Sequence, residues 1–393
     1  MSLFLKSNGE WVLPPVILIV DDARINRELL RLNLSKHGYQ FLMATNGQEA
    51  IDLLASQPEV DLILLDLVMP KVDGFAFLRW RKDHPEVQSI PVIVNSSLDD
   101  FDSIARALTM DSYDYFTKPL SQDDMETVLP LKIRNAVTAR RLMAETRHQN
   151  QIMRDELEMA ARYQKFLLPQ RAELPGARIA FLFESSSAVG GDYFDFLKLP
   201  QGKLGFVVAD VSGHGVASAM TASIVKALLP GYLRQFLSPA RAFQALNQDL
   251  LHLTQEDGFV TAFAALYDQD QSQLTWCLAG HPSPLYLHNG DGVTALSAES
   301  IFLGVFESEN PLVDYQDRRI SVSPGDRLAL YTDGMTEAAD SAGEQFGVQR
   351  LERLLKQHHG CDLEELHQKV WQGLQGFVKG EFSDDVAFIM VGF

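Results

Sequence analysis

The chain has 393 residues, too many for one ordinary domain and enough for two or three. Lys and Arg number 34 against 52 Asp and Glu, a formal charge of −18, which argues against a surface built mainly for nucleic acid, because phosphate neutralisation needs clustered cations. Apolar residues make up 46%, enough for ordinary cores, while Cys277 and Cys361 alone cannot build a disulfide framework or a four-thiolate zinc site. No uninterrupted apolar run reaches the roughly 20 residues that span a bilayer. Residues 1–14 read as a tail rather than a secretory signal, so a cytoplasmic setting is expected.

Residues 15–130 alternate short apolar runs with amphipathic stretches. Strands are predicted at 16–20, 62–65, 92–94 and 113–116, the first three apolar at every position, as strands buried on both faces of a parallel sheet must be. Helices are predicted at 25–37, 47–56 and 75–83. This alternation implies a doubly wound α/β domain, in which ligands bind outside the carboxyl ends of the strands. Asp21 and Asp22 follow the first strand, Asp66 ends the next apolar run, Ser96 closes another, and Lys118 follows the last, joined to Pro119 by a bond that is a cis candidate. Carboxylates gathered at one edge repel each other unless a cation sits among them, and hard oxygen ligands suit Mg²⁺. A carboxylate nucleophile, a metal, a lysine and a hydroxyl together make a site for holding a phosphoryl group.

Taken singly, each of these residues is more often a turn, a cap or nothing in particular. Their joint order is more specific: Asp21-Asp22, Asp66, Met69-Pro70 with Asp73-Gly74, Ser96, then Lys118-Pro119. In that order the chain resembles the CheY-like receiver domain of two-component response regulators, expected here as a five-stranded parallel sheet. The resemblance implies that Asp66 accepts a phosphoryl group from a histidine kinase or phosphotransfer protein. It also implies that Asp21, Asp22 and Asp66 hold Mg²⁺, that Lys118 contacts the phosphate, and that Ser96 and Tyr115 form a switch pair. Ser97 departs from the alanine commonest there, a small change.

Strand signals stop over 131–168, a stretch rich in Ala, Arg, Glu, Gln and Met. Ala136, Ala139, Met143, Met153, Leu157, Ala160 and Leu167 fall near a 3.5-residue period, which Thr146, Asn150 and Gln164 interrupt. One long linker helix is expected. A coiled-coil seam between two chains, hence a homodimer, is preferred over a helix packed on its own domain.

Residues 169–393 carry predicted strands at 178–184, 203–209, 260–267, 274–279 and 327–332, and helices at 216–236, 239–253, 348–358 and 363–378. Ser238 before Pro239 reads as an N-cap, and Asp362 with Glu365 as a capping box. Many strands with helices in two groups indicate an α+β layered domain. Asp192, Asp210, Asp333 and Asp384 each stand at the end or start of an apolar run, beside glycines that let backbone and ligand approach closely. Without a matching His or Cys set, they favour Mg²⁺ or Mn²⁺ over zinc. Two such ions can share a water, lower its pKa and aim it at phosphorus. Singly, each Asp-Gly is more often a turn than a ligand.

As an ordered set, Gly190-Gly191-Asp192-Tyr193-Phe194-Asp195, Asp210-Val211-Ser212-Gly213-His214-Gly215, Tyr331-Thr332-Asp333-Gly334 and Ser383-Asp384-Asp385 resemble the metal-dependent type 2C protein phosphatases in their SpoIIE/RsbU-like branch. Supporting matches are Glu156-Leu157-Glu158-Met159-Ala160, Leu167-Leu168-Pro169, Ala279-Gly280-His281-Pro282 and Gly325-Asp326-Arg327-Leu328. The resemblance implies two packed antiparallel sheets flanked by helices. It implies Asp192, Asp210, Asp333, Asp384 and the Val211 carbonyl as ligands of two Mn²⁺ or Mg²⁺, with Asp385 in support. His214 and His281 are read as structural loop histidines and Cys277 as a core residue. Enzymes of that branch act on phosphoserine or phosphothreonine, commonly of anti-sigma antagonists, in sigma-factor partner switching. A competing reading is an RssB-type adaptor that presents a stress sigma factor for proteolysis. A DNA-binding output is poorer, since no helix-turn-helix pattern is present, and no membrane partner is expected.

Overall fold

The computed structural model describes residues 11–56, 59–97, 101–169, 174–186, 188–213, 215–253, 258–290 and 292–393. The chain divides into two compact units, one ending at Met153 and the other beginning at Arg154.

In the first unit, β1 (Val16–Val20), α1 (Arg24–Leu34), β2 (Gln40–Ala44), α2 (Gly47–Ser56), β3 (Leu62–Asp66), α3 (Gly74–Lys82), α4 (Pro85–Gln88), β4 (Val92–Ser97), α5 (Phe101–Thr109) and β5 (Asp114–Lys118) follow in order. The five strands form one parallel sheet, ordered β2-β1-β3-β4-β5. β3 is buried throughout because helices cover both faces. β2 escaped the sequence prediction. As an outer strand it buries only Ala44 fully, and Gln40-Phe41-Leu42-Met43 shows neither clean alternation nor a long apolar run.

A π-helical turn, Asp124–Val128, leads into α6 (Leu129–Leu167), which is 39 residues long. Its first turns belong to the core of the first unit. Leu129, Ile133, Ala136 and Val137 pack with Ile17, Ile19, Leu64 and Phe116. Arg141 then closes a two-pronged ion pair on Asp61, with Nε 2.9 Å from Oδ1 and a terminal nitrogen 2.7 Å from Oδ2. The predicted apolar seam therefore divides. Ala136 is consumed by the receiver-like core, whereas Met143 and Met153 are exposed.

The second unit contains β6 (Arg178–Glu184), β7 (Tyr193–Lys198), β8 (Leu204–Val211), α7 (Val216–Phe236), α8 (Pro239–Leu253), β9 (Val260–Asp268), β10 (Gln273–Ala279), β11 (Leu285–Leu287), β12 (Val293–Ala295), β13 (Arg318–Ser321), β14 (Arg327–Tyr331), α9 (Asp333–Glu337), α10 (Gly347–Gln357), α11 (Leu363–Val378) and β15 (Val386–Gly392). Two antiparallel sheets result, ordered β13-β10-β9-β8-β7 and β12-β11-β14-β15-β6. One core joins side chains of both sheets to α7 and α8. A second joins the sheet of β14 and β15 to α9, α10 and α11. Cys277 is buried in the first of these cores, as expected.

Two predicted caps form. Ser238 Oγ accepts the Arg241 amide at 3.2 Å, and Asp362 accepts the Glu365 amide at 2.8 Å, while the Glu365 carboxylate pairs forward with Lys369. Among the described residues, α7 is the one helix long and apolar enough to cross a membrane by length and composition. Its Val225, Leu229 and Leu233 are buried in the core, and its Lys226 pairs with Asp195.

Candidate functional site

The parallel sheet delivers Asp21 from the end of β1, Asp66 from the end of β3 and Lys118 from the end of β5 to one edge. Lys118 Nζ lies 2.8 Å from Asp21 Oδ2 and 2.7 Å from Asp66 Oδ2. Asp21, Asp22 and Asp66 each offer an oxygen within 4.8 Å of the others, and this is the one such His/Cys/Asp/Glu group among the described residues. Burial pushes the Asp66 carboxyl above its ordinary range against the pull of Lys118. Burial alone would lower Lys118, but its hydrogen bonds to Asp21 and Asp66 win, and its pKa is raised. An all-oxygen trio beside one ammonium suits a hard dication.

The surrounding motif has local causes. Asp73 caps α3 by accepting the Ala76 amide at 2.7 Å. A side chain at Gly74 would bring its Cβ within 2.5 Å of the Asp66 carbonyl oxygen, so only glycine lets α3 start so close to the end of β3. Ser96 is buried near the end of β4, Tyr115 is half-buried on β5, and the Lys118–Pro119 bond is cis. Asn26, which no sequence argument singled out, donates to both Asp21 oxygens at 3.2 Å.

In the second unit, Asp192 stands just before β7, Asp210 near the end of β8, Asp333 at the start of α9, and Asp384 two residues before β15. The structure brings Asp192, Asp333 and Asp384 each within electrostatic reach of Asp210. Asp192 is buried, and burial, Asp210 and Asp385 push its carboxyl well above the usual range. Burial with Asp333 and Asp384 raises Asp210 to about 7. Burial with Asp384 and Glu337 raises Asp333. Asp192 is buried, Asp210 and Asp333 are half-buried and Asp384 is exposed, so the cluster is closed at one end and open at the other. Repulsion of this kind is relieved when a divalent cation supplies the missing positive charge. The donors are all oxygens, which fits Mg²⁺ or Mn²⁺.

Neighbouring residues hold these carboxylates in place. Thr332 Oγ1 donates to Asp192 Oδ2 at 2.7 Å and accepts the Ala387 amide at 3.0 Å. Asp385 accepts from Ser185 Oγ, the Ser186 amide and the Gly191 amide at 2.9–3.0 Å. That clasp explains two glycines. A Cβ on Gly190 would run into the Asp385 carboxylate, and one on Gly334 into the Asp385 carbonyl. A Cβ on Gly191 would stand 2.6 Å from the Val211 carbonyl oxygen, which faces that loop. Gln164 of α6 grips Gly190 from the other side, Nε2 donating to its carbonyl at 2.6 Å and Oε1 accepting its amide at 3.0 Å. The polar break that Gln164 makes in the apolar period of α6 was the sequence signal for this role. Thr332, Ser185 and Ser186 gave none.

Other motif residues lie outside the cluster. Asp195 accepts from Tyr193 Oη at 2.9 Å and pairs with Lys226 at 2.5 Å, which fastens α7 to β7. His281 is fully enclosed. Its Nε2 lies 3.1 Å from the Tyr331 carbonyl, which can only accept, so Nε2 carries the proton and Nδ1 accepts the Thr261 hydroxyl at 2.8 Å. Burial lowers its pKa to about 3. His214 lies outside the described residues.

Replacing Thr332 by Val keeps the shape but leaves the Ala387 amide and Asp192 without their partner. The metal-free protein is expected to lose about 1–3 kcal/mol in urea unfolding. An unchanged midpoint would show that the Thr332 hydroxyl does not hold this cluster.

Comparison with known proteins follows the same division. The model of the response regulator receiver domain matches residues 17–129, and that of stage II sporulation protein E (SpoIIE) matches residues 200–393. Protein PilH of Pseudomonas aeruginosa is 37% identical over 123 residues, covering 31% of this chain and 97% of PilH. Phosphoserine phosphatase RsbP of Bacillus subtilis is 29% identical over 241 residues, covering 60% of this chain and 57% of RsbP, so the match spans little more than half of that relative. The solved SiaA-PP2C domain of Pseudomonas aeruginosa superposes with a TM-score of 0.55 at 22% identity, over 62% of this chain and 98% of that one, and shares its fold. The chain belongs to the response regulators, with a receiver domain followed by a region that matches the SpoIIE model and has the fold of a solved PP2C domain.

Proposed function

We propose that this response regulator is a metal-dependent phosphoserine/phosphothreonine protein phosphatase controlled by phosphorylation of Asp66. In this reading a receiver occupies 15–130, a helical linker 131–168 and the phosphatase 169–393. The carrying observation is the convergence of Asp192, Asp210, Asp333 and Asp384 from four separate elements, with the carboxyls of Asp192, Asp210 and Asp333 raised by burial and by their acidic neighbours. A fold evolved only for packing or binding has no reason to retain that repulsion. This favours catalysis over the adaptor reading.

Asp192, Asp210, Asp333, Asp384 and the Val211 carbonyl are assigned as ligands of two Mn²⁺ or Mg²⁺ ions, which when bound supply an activated water and polarise the phosphate ester. Thr332 orients Asp192, and the Asp385 clasp sets the loop that carries Asp384. In the receiver, Asp21, Asp22 and Asp66 hold Mg²⁺, Asp66 is the nucleophile, and Lys118 neutralises charge on the incoming phosphoryl group. The phosphodonor is a histidine kinase or phosphotransfer protein. The substrate in this reading is the phosphorylated form of an anti-sigma antagonist in a cytoplasmic stress pathway; similarity to RsbP, a phosphoserine phosphatase, supports its phosphoserine chemistry. A homodimer through α6 is supported by its exposed Met143, Met153 and Met159.

The test is release of inorganic phosphate from a phosphoserine peptide by the full chain. Activity should appear with Mn²⁺, vanish with chelator and return on adding the ion back. No hydrolysis with any divalent cation, together with tight sigma-factor binding, would favour the adaptor instead.

A further inference from the structure

β5 is an edge strand, and the side chain of Lys132, one turn into α6, reaches around that edge. Its ammonium lies 2.7 Å from Asp114 Oδ1 and 2.8 Å from the Tyr115 carbonyl oxygen. The same nitrogen stands 5.1 Å from the centre of the Tyr115 ring, within cation–π range. Asp114 Oδ1 also accepts the Tyr115 amide at 2.7 Å, so carboxylate, backbone, ring and ammonium form one closed set. Beside it a cavity of about 160 Å³, lined by Tyr115, Leu120, Asp124, Val128 and Lys132 among others, leaves space between β5 and the turn into α6.

We infer that Lys132 is a positioning residue that transmits the orientation of the Tyr115 ring to α6. The remaining anchors of α6 in this unit do not involve that ring. Ile133, Ala136 and Val137 pack on the opposite face of the sheet, and Arg141 is paired with Asp61 about two and a half turns further on. Lys132 is different, because its ammonium is shared between a fixed partner, the β5 backbone and Asp114, and a movable one, the ring. When the ring turns, the ammonium loses one of its three contacts while the helix keeps its apolar seat. The first turns of α6 are then held less firmly on the β5 side. This rests on the proposed reading of Tyr115 as part of the receiver switch.

The experiment uses the full chain with Mg²⁺ and beryllium fluoride as the phosphoryl mimic, and follows amide hydrogen exchange over residues 129–145. In the wild type, exchange there should change by about twofold or more on adding the mimic. Lys132→Met should retain less than about a third of that change, with mimic binding by calorimetry unaltered and unfolding of the unliganded protein still a single cooperative transition. Lys132→Arg, which keeps a cation within reach of the ring, should restore the response. Equal responses in wild type and Lys132→Met, or no change in the wild type with the mimic bound, would overturn the inference. If exchange behaves as expected while the phosphatase rate ignores the mimic, Lys132 keeps its role and the proposed control of catalysis by Asp66 falls.

Discussion

Asp210→Asn is expected to lower Mn²⁺-dependent ester hydrolysis by about a thousandfold, the equivalent of the several kcal/mol of charge stabilisation that a misbound ion no longer provides. The protein should stay folded, because the amide is nearly isosteric and removes a charge that Asp333 and Asp384 repel. Metal-free stability gives an independent readout. The folded protein holds Asp210 near 7 against an ordinary 3.8, and Asp192 is displaced in the same direction. A raised carboxyl pKa means that the neutral form favours folding. The stabilisation is complete below the ordinary value and is lost as pH climbs through the folded one. Without metal, the melting temperature should therefore fall between about pH 4 and pH 7, and added Mn²⁺ should raise it more at about pH 8 than at about pH 5. Asp210→Asn should flatten much of that slope. A flat metal-free profile, or wild-type turnover in the variant, would refute the assignment of Asp210 to the cluster.

Asp66→Asn is expected to reduce incorporation of phosphoryl label from acetyl phosphate to background, below about a hundredth of wild type, because a carboxamide is not a nucleophile at this centre. Lys118→Met should retain Asp66 yet label poorly, since the ammonium 2.7 Å from its carboxylate is gone and no other Lys or Arg among the described residues pairs with it. Gel-based counting of the hydroxylamine-labile label measures the acyl phosphate in each variant. Labelling of Asp66→Asn at wild-type level would place the acceptor elsewhere.

Much of this architecture was legible in the sequence because each piece had a local signature. The buried strands β1 and β3 are apolar at nearly every position, and α7, α8 and α11 are bounded by glycine, proline or an Asp cap. Strands without such a signature went unseen. β2 is half-buried, and β11 to β13 are three or four residues long. β7 and β15 were not predicted either; each directly follows aspartates of the candidate site. The carboxylates themselves were readable as an ordered set. Of their supports only Asp385 was expected; its partners were not, because the Asp385–Ser185 and Thr332–Asp192 bonds join residues 200 and 140 positions apart. No periodicity or turn rule reports such a pairing; only the closing of two sheets does.

His281 gives a practical lesson for kinetics. Its imidazole bolts β9 to β14 through Thr261 and Tyr331, and with a pKa of about 3 it stays uncharged wherever the proposed hydrolysis is assayed. A break near neutrality in a plot of rate against pH would then report the carboxylate cluster, where Asp210 is raised to about 7, although an imidazole is the side chain such a break usually brings to mind.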